Sequence, residues 1–99
     1  MGIFLTKKEI TPDTILQRKP DLLFNEIDGE LVMLSIENSE YYGINQIGSR
    51  IWKLLEKPII LNQITSILIN EYNVTREQCL KDTLKFLEHL VEKKLISLV

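Results

Sequence analysis

At 99 residues the chain has room for one domain with a modest core, and too little for an enzyme pocket with a lid over it. With 44% hydrophobic and 26% charged residues it reads as an ordinary soluble globular protein, and its net charge of −2 argues against a dedicated nucleic-acid binder. A single cysteine, Cys79, can form no internal disulfide, so a reducing cytoplasm is the expected setting.

The chain opens with Met1-Gly2-Ile3-Phe4-Leu5, too short for a signal-peptide core, and Lys7, Lys8 and Glu9 follow at once. Gly2 with Thr6 fits an N-myristoylation pattern that is short and common by chance. No later apolar run approaches the ~20 residues of a membrane span. Residues 1–14 read as a loosely held arm and 15–99 as the domain. From Asp21 to Asn45 the pattern predicts a three-stranded antiparallel meander, with Ile15 to Arg18 as a short strand or extended lead-in. Asp28-Gly29 lies between Leu22–Ile27 and Leu31–Ile36, and Asp-Gly between apolar runs is a strong hairpin signal. Glu37-Asn38-Ser39-Glu40 is the second turn, leading into the strand Tyr41 to Ile44.

Asn45 follows that strand directly and is a good helix N-cap. Ile47, Ile51, Leu54 and Leu55 recur at helical spacing until Lys57-Pro58 stops the helix. A second helix is predicted over roughly 62–72, burying Ile64, Ile67 and Leu68. Thr75-Arg76-Glu77-Gln78 fits a capping box, with Thr75 as N-cap and Gln78 reaching back. The third helix should run to about Lys94, and Leu95 to Leu98 reads as a short extended piece. Strands first and three helices after give an α+β domain on the plan of a winged helix-turn-helix.

Catalytic chemistry has little to work with. His89 and Cys79 lie ten positions apart on one predicted helix. That is about 15 Å of rise, too far for a nucleophile–base pair. No residues have metal-ligand spacing, and the glycines form no phosphate loop. The expectation is a non-enzyme without cofactor or metal.

The third helix is more informative. Leu80, Leu84, Leu87 and Val91 make one apolar stripe, expected to be the core contact. Cys79, Thr83, Phe86 and Leu90 make a second beside it. Together they are wider than the ~100° a surface helix needs. Two readings of the second stripe are open. Either the sheet or the second helix wraps further round, or the stripe is one wall of a groove. The other wall would be the strand Tyr41–Ile44, whose edge is free for backbone pairing with a peptide. On that strand Tyr42 and Ile44 share one face, and Tyr41 and Gly43 the other. Ile44 reads as core, and Tyr42 as core with its hydroxyl at a polar rim. Tyr41 is the better ligand contact, and Gly43 is a bulge or leaves space for an incoming backbone. Trp52 reads as core, Phe86 as either core or groove, Cys79 as a small buried hydrophobe and His89 as solvated.

Tyr42-Gly43-Ile44-Asn45, followed by Gly48, Ile51 and Trp52, resembles the signature of PqqD-like domains, the recognition elements for ribosomally made precursor peptides. The stand-alone lasso-peptide type looks closest, with Ile44 where the family usually has Leu. The resemblance runs over roughly residues 20–98 and extends to Glu71-Tyr72, Phe86-Leu87 to Leu90, and Leu95-Ile96. It implies the winged helix-turn-helix architecture and a leader segment added as a strand beside the third strand and against the third helix. The implied peptide-binding residues are Tyr41, Tyr42, Gly43, Ile44, Cys79, Thr83, Phe86, Leu87 and Leu90. The implied partners are a precursor peptide and a leader peptidase and cyclase, with the protein a monomer or weak dimer away from nucleic acid and membranes. A PqqD-type chaperone for a radical SAM enzyme shares fold and binding mode. A winged-helix DNA binder is disfavoured by the third helix, where Arg76, Lys81, Lys85, Lys93 and Lys94 are offset by Glu77, Asp82, Glu88 and Glu92. A self-pairing oligomerisation subunit is the remaining class.

Overall fold

A computed structural model describes residues 9–20 and 22–99. The Gly2–Thr6 pattern, Asp21 and the first eight residues of the expected arm lie outside them. Of the rest of that arm, Ile10 packs half-buried on the core, and the carbonyl of Pro12 accepts the Asn62 N–H at 3.0 Å.

Six strands and three helices follow in the order β1 (Ile15–Arg18), β2 (Leu23–Ile27), β3 (Glu30–Ser35), β4 (Glu40–Ile44), α1 (Gln46–Leu54), β5 (Ile59–Ile60), α2 (Leu61–Glu71), α3 (Arg76–Glu92) and β6 (Ile96–Leu98). β2, β3 and β4 form the expected antiparallel meander, with β2 and β4 at its edges. Asp28 (φ 53°) and Gly29 (φ 81°) both take positive φ, the two-residue turn their sequence demands.

A second sheet, in the order β5-β1-β6, was only partly legible. β1 is its centre, and Leu16 in it is completely buried. β5 has two residues, too few for any period to show in sequence. The Leu95 to Leu98 piece earns its extended form by pairing with β1, from Arg18↔Ile96 to Leu16↔Leu98. The core joins Leu31, Met33 and Ile44 of the meander to Ile51, Trp52, Leu55, Leu61, Ile64 and Leu68 of the first two helices. Ile67, expected in the core, is half-buried, and Leu61 and Thr65 are buried with Ile64 and Leu68. This is the α+β, winged-helix-like arrangement that the order of elements implied.

α3 departs from its expected orientation. Cys79, Thr83, Leu87 and Leu90 are its buried residues, whereas Leu80, Leu84 and Val91 are only half-buried. Of the stripe expected to be the core contact only Leu87 is fully buried, with Leu80, Leu84 and Val91 packed at its flank. Of the second stripe, open between core and groove, Cys79, Thr83 and Leu90 are buried and Phe86 is half-buried. Size enters as well as hydrophobicity. Cys79 and Thr83 are small, and with Ile51 of α1 and Leu68 of α2 they line a cavity of about 350 Å³. Larger side chains there would fill it. The capping box is also half-formed. Gln78 N–H donates to Thr75 Oγ1 at 3.3 Å, but the Gln78 side chain donates forward to Asp82 at 2.9 Å. Turned forward to donate to the Asp82 carboxylate, the Gln78 amide does not reach back to accept the Thr75 N–H, which is exposed and can be satisfied by water.

Candidate functional site

The strand-to-helix junction at residue 45 fixes one end of the site. Asn45 Oδ1 accepts the Gly48 N–H at 2.8 Å, and the Ser49 hydroxyl donates to the Ile44 carbonyl at 3.2 Å. β4 and the first turn of α1 are thus one rigid piece. Gly48 is required by close packing. A Cβ there would lie 2.5 Å from Ile44 Cγ2 and 3.3 Å from Phe86 Cζ. The missing methyl lets the Phe86 ring of α3 settle on the start of α1.

Asn38, in the turn between β3 and β4, fixes the other end. Its amide donates to the Tyr42 hydroxyl at 3.1 Å and to the Lys93 carbonyl at the end of α3 at 2.9 Å. Two exposed ion pairs, Lys93–Glu40 at 3.8 Å and Lys94–Glu37 at 3.6 Å, flank this tie and add little by themselves. β4 and α3 are held at both ends, and between them runs a groove of about 360 Å³. Its walls include Tyr42, Gly43 and Ile44 on one side and Phe86, His89, Leu90 and Lys93 on the other. A second cavity of about 350 Å³ continues past Asn45, between α1, α2 and α3. Phe86 lines both and stands at their junction, as do no other residues of α3. The second cavity is apolar within, from Ile47, Ile51, Leu68 and Val74, with Gln78 and Asp82 among its polar lining. Beside it Arg50 of α1 grips Glu71 of α2 with a 2.7 Å contact, and hydrogen bonds from Arg50 hold the Glu71 carboxyl below the usual carboxylate range.

Register settles which backbone groups of β4 face the free edge. The two-residue turn closes on Ile27↔Glu30, which is therefore a hydrogen-bonded pair. Bonding direction alternates along a strand, so Glu30, Val32 and Leu34 bond to β2, and Leu31, Met33 and Ser35 to β4. Their β4 partners are Ile44, Tyr42 and Glu40. The N–H and C=O groups of Tyr41 and Gly43 point outward. The same alternation turns the Glu26 N–H away from β3, and that group is found bonded to Asn25 Oδ1 at 3.0 Å.

The expected site residues divide accordingly. Ile44 is buried and Tyr42 half-buried, on the face toward α3. Tyr41 is 76% exposed and its ring lies on the opposite face, so its contribution to this groove is its backbone. Gly43 sits in an unbroken register opposite Val32, so it is not a bulge, and a Cβ there would meet nothing within 4 Å. Phe86 and Leu90 line the groove, whereas Cys79 and Thr83 line the cavity beyond it and Leu87 lies fully in the core. Sequence reasoning missed Asn38, whose partner is 55 positions away, and it placed His89 in solvent where the ring is also part of the groove wall. No periodicity marks a turn amide that ties to a helix end.

The profile of the family described as coenzyme PQQ synthesis protein D (PqqD) matches residues 30–96, which takes in the meander's last two strands, all three helices and the start of β6. No curated protein matches the chain. Among solved structures it is similar to that of TbiB1 in complex with the TbiA(beta) leader peptide. The two share 32% sequence identity and a TM-score of 0.74, over 82% of this chain and 94% of the other. The chain belongs to the PqqD family, as the motif from Tyr42 to Trp52 and the later apolar runs implied.

Proposed function

We propose that this protein is a non-catalytic recognition domain that captures the leader region of a ribosomally made precursor peptide. The leader pairs its backbone with the outward groups of Tyr41 and Gly43 and becomes a fourth strand beyond β4. Its alternate side chains enter the groove against Phe86 and Leu90, and an apolar anchor reaches the cavity beyond Asn45. One observation carries this reading: an open strand edge faces a helix wall across a groove tied at both ends. Association and ordering consume much of the gross contact energy, so a site that is already spaced for its ligand has an advantage. The similarity to TbiB1, solved with a leader peptide, supports the same ligand class.

The pathway we infer is lasso-peptide biosynthesis in the cytoplasm, with the loaded complex presented to a leader peptidase and a cyclase. The family description favours keeping a second destination in view, delivery to a radical SAM enzyme in the manner of PqqD. Fluorescence polarisation tests the binding step. A labelled leader peptide, taken from any precursor gene found beside this one, should bind saturably at micromolar concentration or tighter, and lose binding when its apolar residues become alanine. Absence of binding by the folded protein would remove the proposal. Co-purification of the loaded complex with the neighbouring enzymes then separates the two destinations.

A further inference from the structure

Among the described residues the opposite edge of the meander has no helix wall beside it. All five residues of β2 are exposed, including Leu23 (55%), Phe24 (43%) and Ile27 (57%). Proteins usually blunt such an edge with proline, charged residues or a bulge. β2 has no proline or bulge, and its guards are slight: one carboxylate, Glu26, paired with Lys53 at 2.8 Å, and the Glu26 N–H turned onto its neighbour Asn25 Oδ1 at 3.0 Å. Its outward backbone groups belong to Phe24 and Glu26, by the alternation derived above.

We propose that this edge is a self-association surface, on which a second copy of the chain pairs antiparallel along Leu23–Ile27 about a two-fold axis through Asn25. The strand is complementary to itself in that register. Phe24 falls opposite Glu26 of the second copy, and both are outward-facing, so each pair exchanges two backbone hydrogen bonds once the Glu26 N–H gives up its local bond to Asn25 Oδ1. Asn25 meets Asn25, and Leu23 meets Ile27 on the outer face of the sheet, covering the most exposed apolar side chains of the strand. Charge fits as well. The Arg18 guanidinium stands 5.0 Å from the centre of the Phe24 ring and has no carboxylate partner among the described residues. Glu26 of the second copy, which Lys53 of its own chain holds at 2.8 Å across an exposed contact, arrives beside that ring and is shared between the two cations, once on each side of the axis. Two copies joined this way make a six-stranded sheet with both β4 edges still free. The contact is smaller than the ~1,200 Å² of a standard interface, so the dimer is weak and concentration-dependent. This proposal stands independently of the peptide reading.

Sedimentation of the full chain tests it. Between about 1 and several hundred micromolar, the weight-average mass should climb from the monomer's 11.6 kDa toward twice that value. Glu26→Pro removes an outward N–H that β3 does not use, and this variant should stay monomeric throughout with unchanged circular dichroism. Crosslinking fixes the register without relying on a proline. Asn25→Cys in a Cys79→Ser background should give a disulfide-linked dimer under mild oxidation, because residues facing each other on the axis lie within disulfide reach. Glu26→Cys, one step off the axis, should crosslink at least tenfold less. A wild type that remains monomeric, a Glu26→Pro dimer as strong as wild type, or equal crosslinking at the two positions would each overturn the proposal.

Discussion

β2 and β4 are edges of one sheet and each has five residues, yet their surroundings differ. β4 has α3 beside it, spaced by Gly48 at one end and Asn38 at the other. Beside β2 stand the side chains of Arg18 and, from α1, Trp52 and Lys53. An open edge by itself offers a repeating row of donors and acceptors, which any extended segment can use. A wall beside the edge adds a demand on side chains. The comparison teaches that edge geometry supplies docking and the neighbouring helix supplies choice, and that an edge without a wall is suited to a copy of itself.

The largest expected effect breaks the wall. Phe86→Asp puts a charge at the junction of groove and cavity, and leader affinity measured by fluorescence polarisation should fall about 100-fold or more, the equivalent of roughly 3 kcal/mol. Wild-type affinity in the folded variant would dissolve the distinction between the two edges. Next comes the backbone. Tyr41→Pro removes an outward N–H and should weaken leader binding about tenfold while the fold persists. Tyr42→Pro removes an N–H used by β3 as well as a ring of the groove wall, so beyond weakening binding it should lower thermal stability by about 2–3 kcal/mol. If Tyr41→Pro destabilises the fold as much as Tyr42→Pro, the assignment of outward groups is wrong.

The tie at the far end gives a smaller effect. Asn38→Ala should cost about 1 kcal/mol of stability and weaken leader binding several-fold, because α3 is no longer held at its set distance from Tyr42. Self-association through β2 should not change. The smallest effect belongs to Arg50→Ala, which removes a partly exposed ion pair and should cost under about 1 kcal/mol. Glu71 is held below its ordinary pKa in the fold. Its contribution is complete above the unfolded value of about 4.3 and disappears as pH falls through the folded value. Denaturation curves of variant and wild type should therefore converge in acid.

Much of this molecule was legible where a local rule decides. Asp28-Gly29 can hardly be anything but a tight turn, and Asn45 and Thr75 cap the helices that follow them. The motif around Tyr42 to Trp52 led to the right family. α3 was harder, because its apolar arc is wide enough for two orientations and hydrophobicity does not choose between them. Cys79 and Thr83 turn toward α1 and α2, and the placing of those two helices is set by residues elsewhere in the chain. Asn38 was invisible for a similar reason. It is a common turn residue until Lys93 arrives beside it. Tyr41 reads from sequence as a ligand contact, but only the register of the meander shows that its side chain lies on the face away from α3 while its backbone groups lie on the free edge.

The groove has one wall that offers a strand edge beside Tyr42 and Ile44 and one made by the side chains of α3, and the two are encoded in separate stretches of sequence. Exchange of the α3 face between relatives therefore amounts to changing a lens while keeping its mount. Transplanting residues 79–90 from another family member should redirect which leader is selected and leave the docking register intact. Substitutions in β4 should alter strength for every leader alike. A small domain arranged this way can diversify its vocabulary without relearning its grammar.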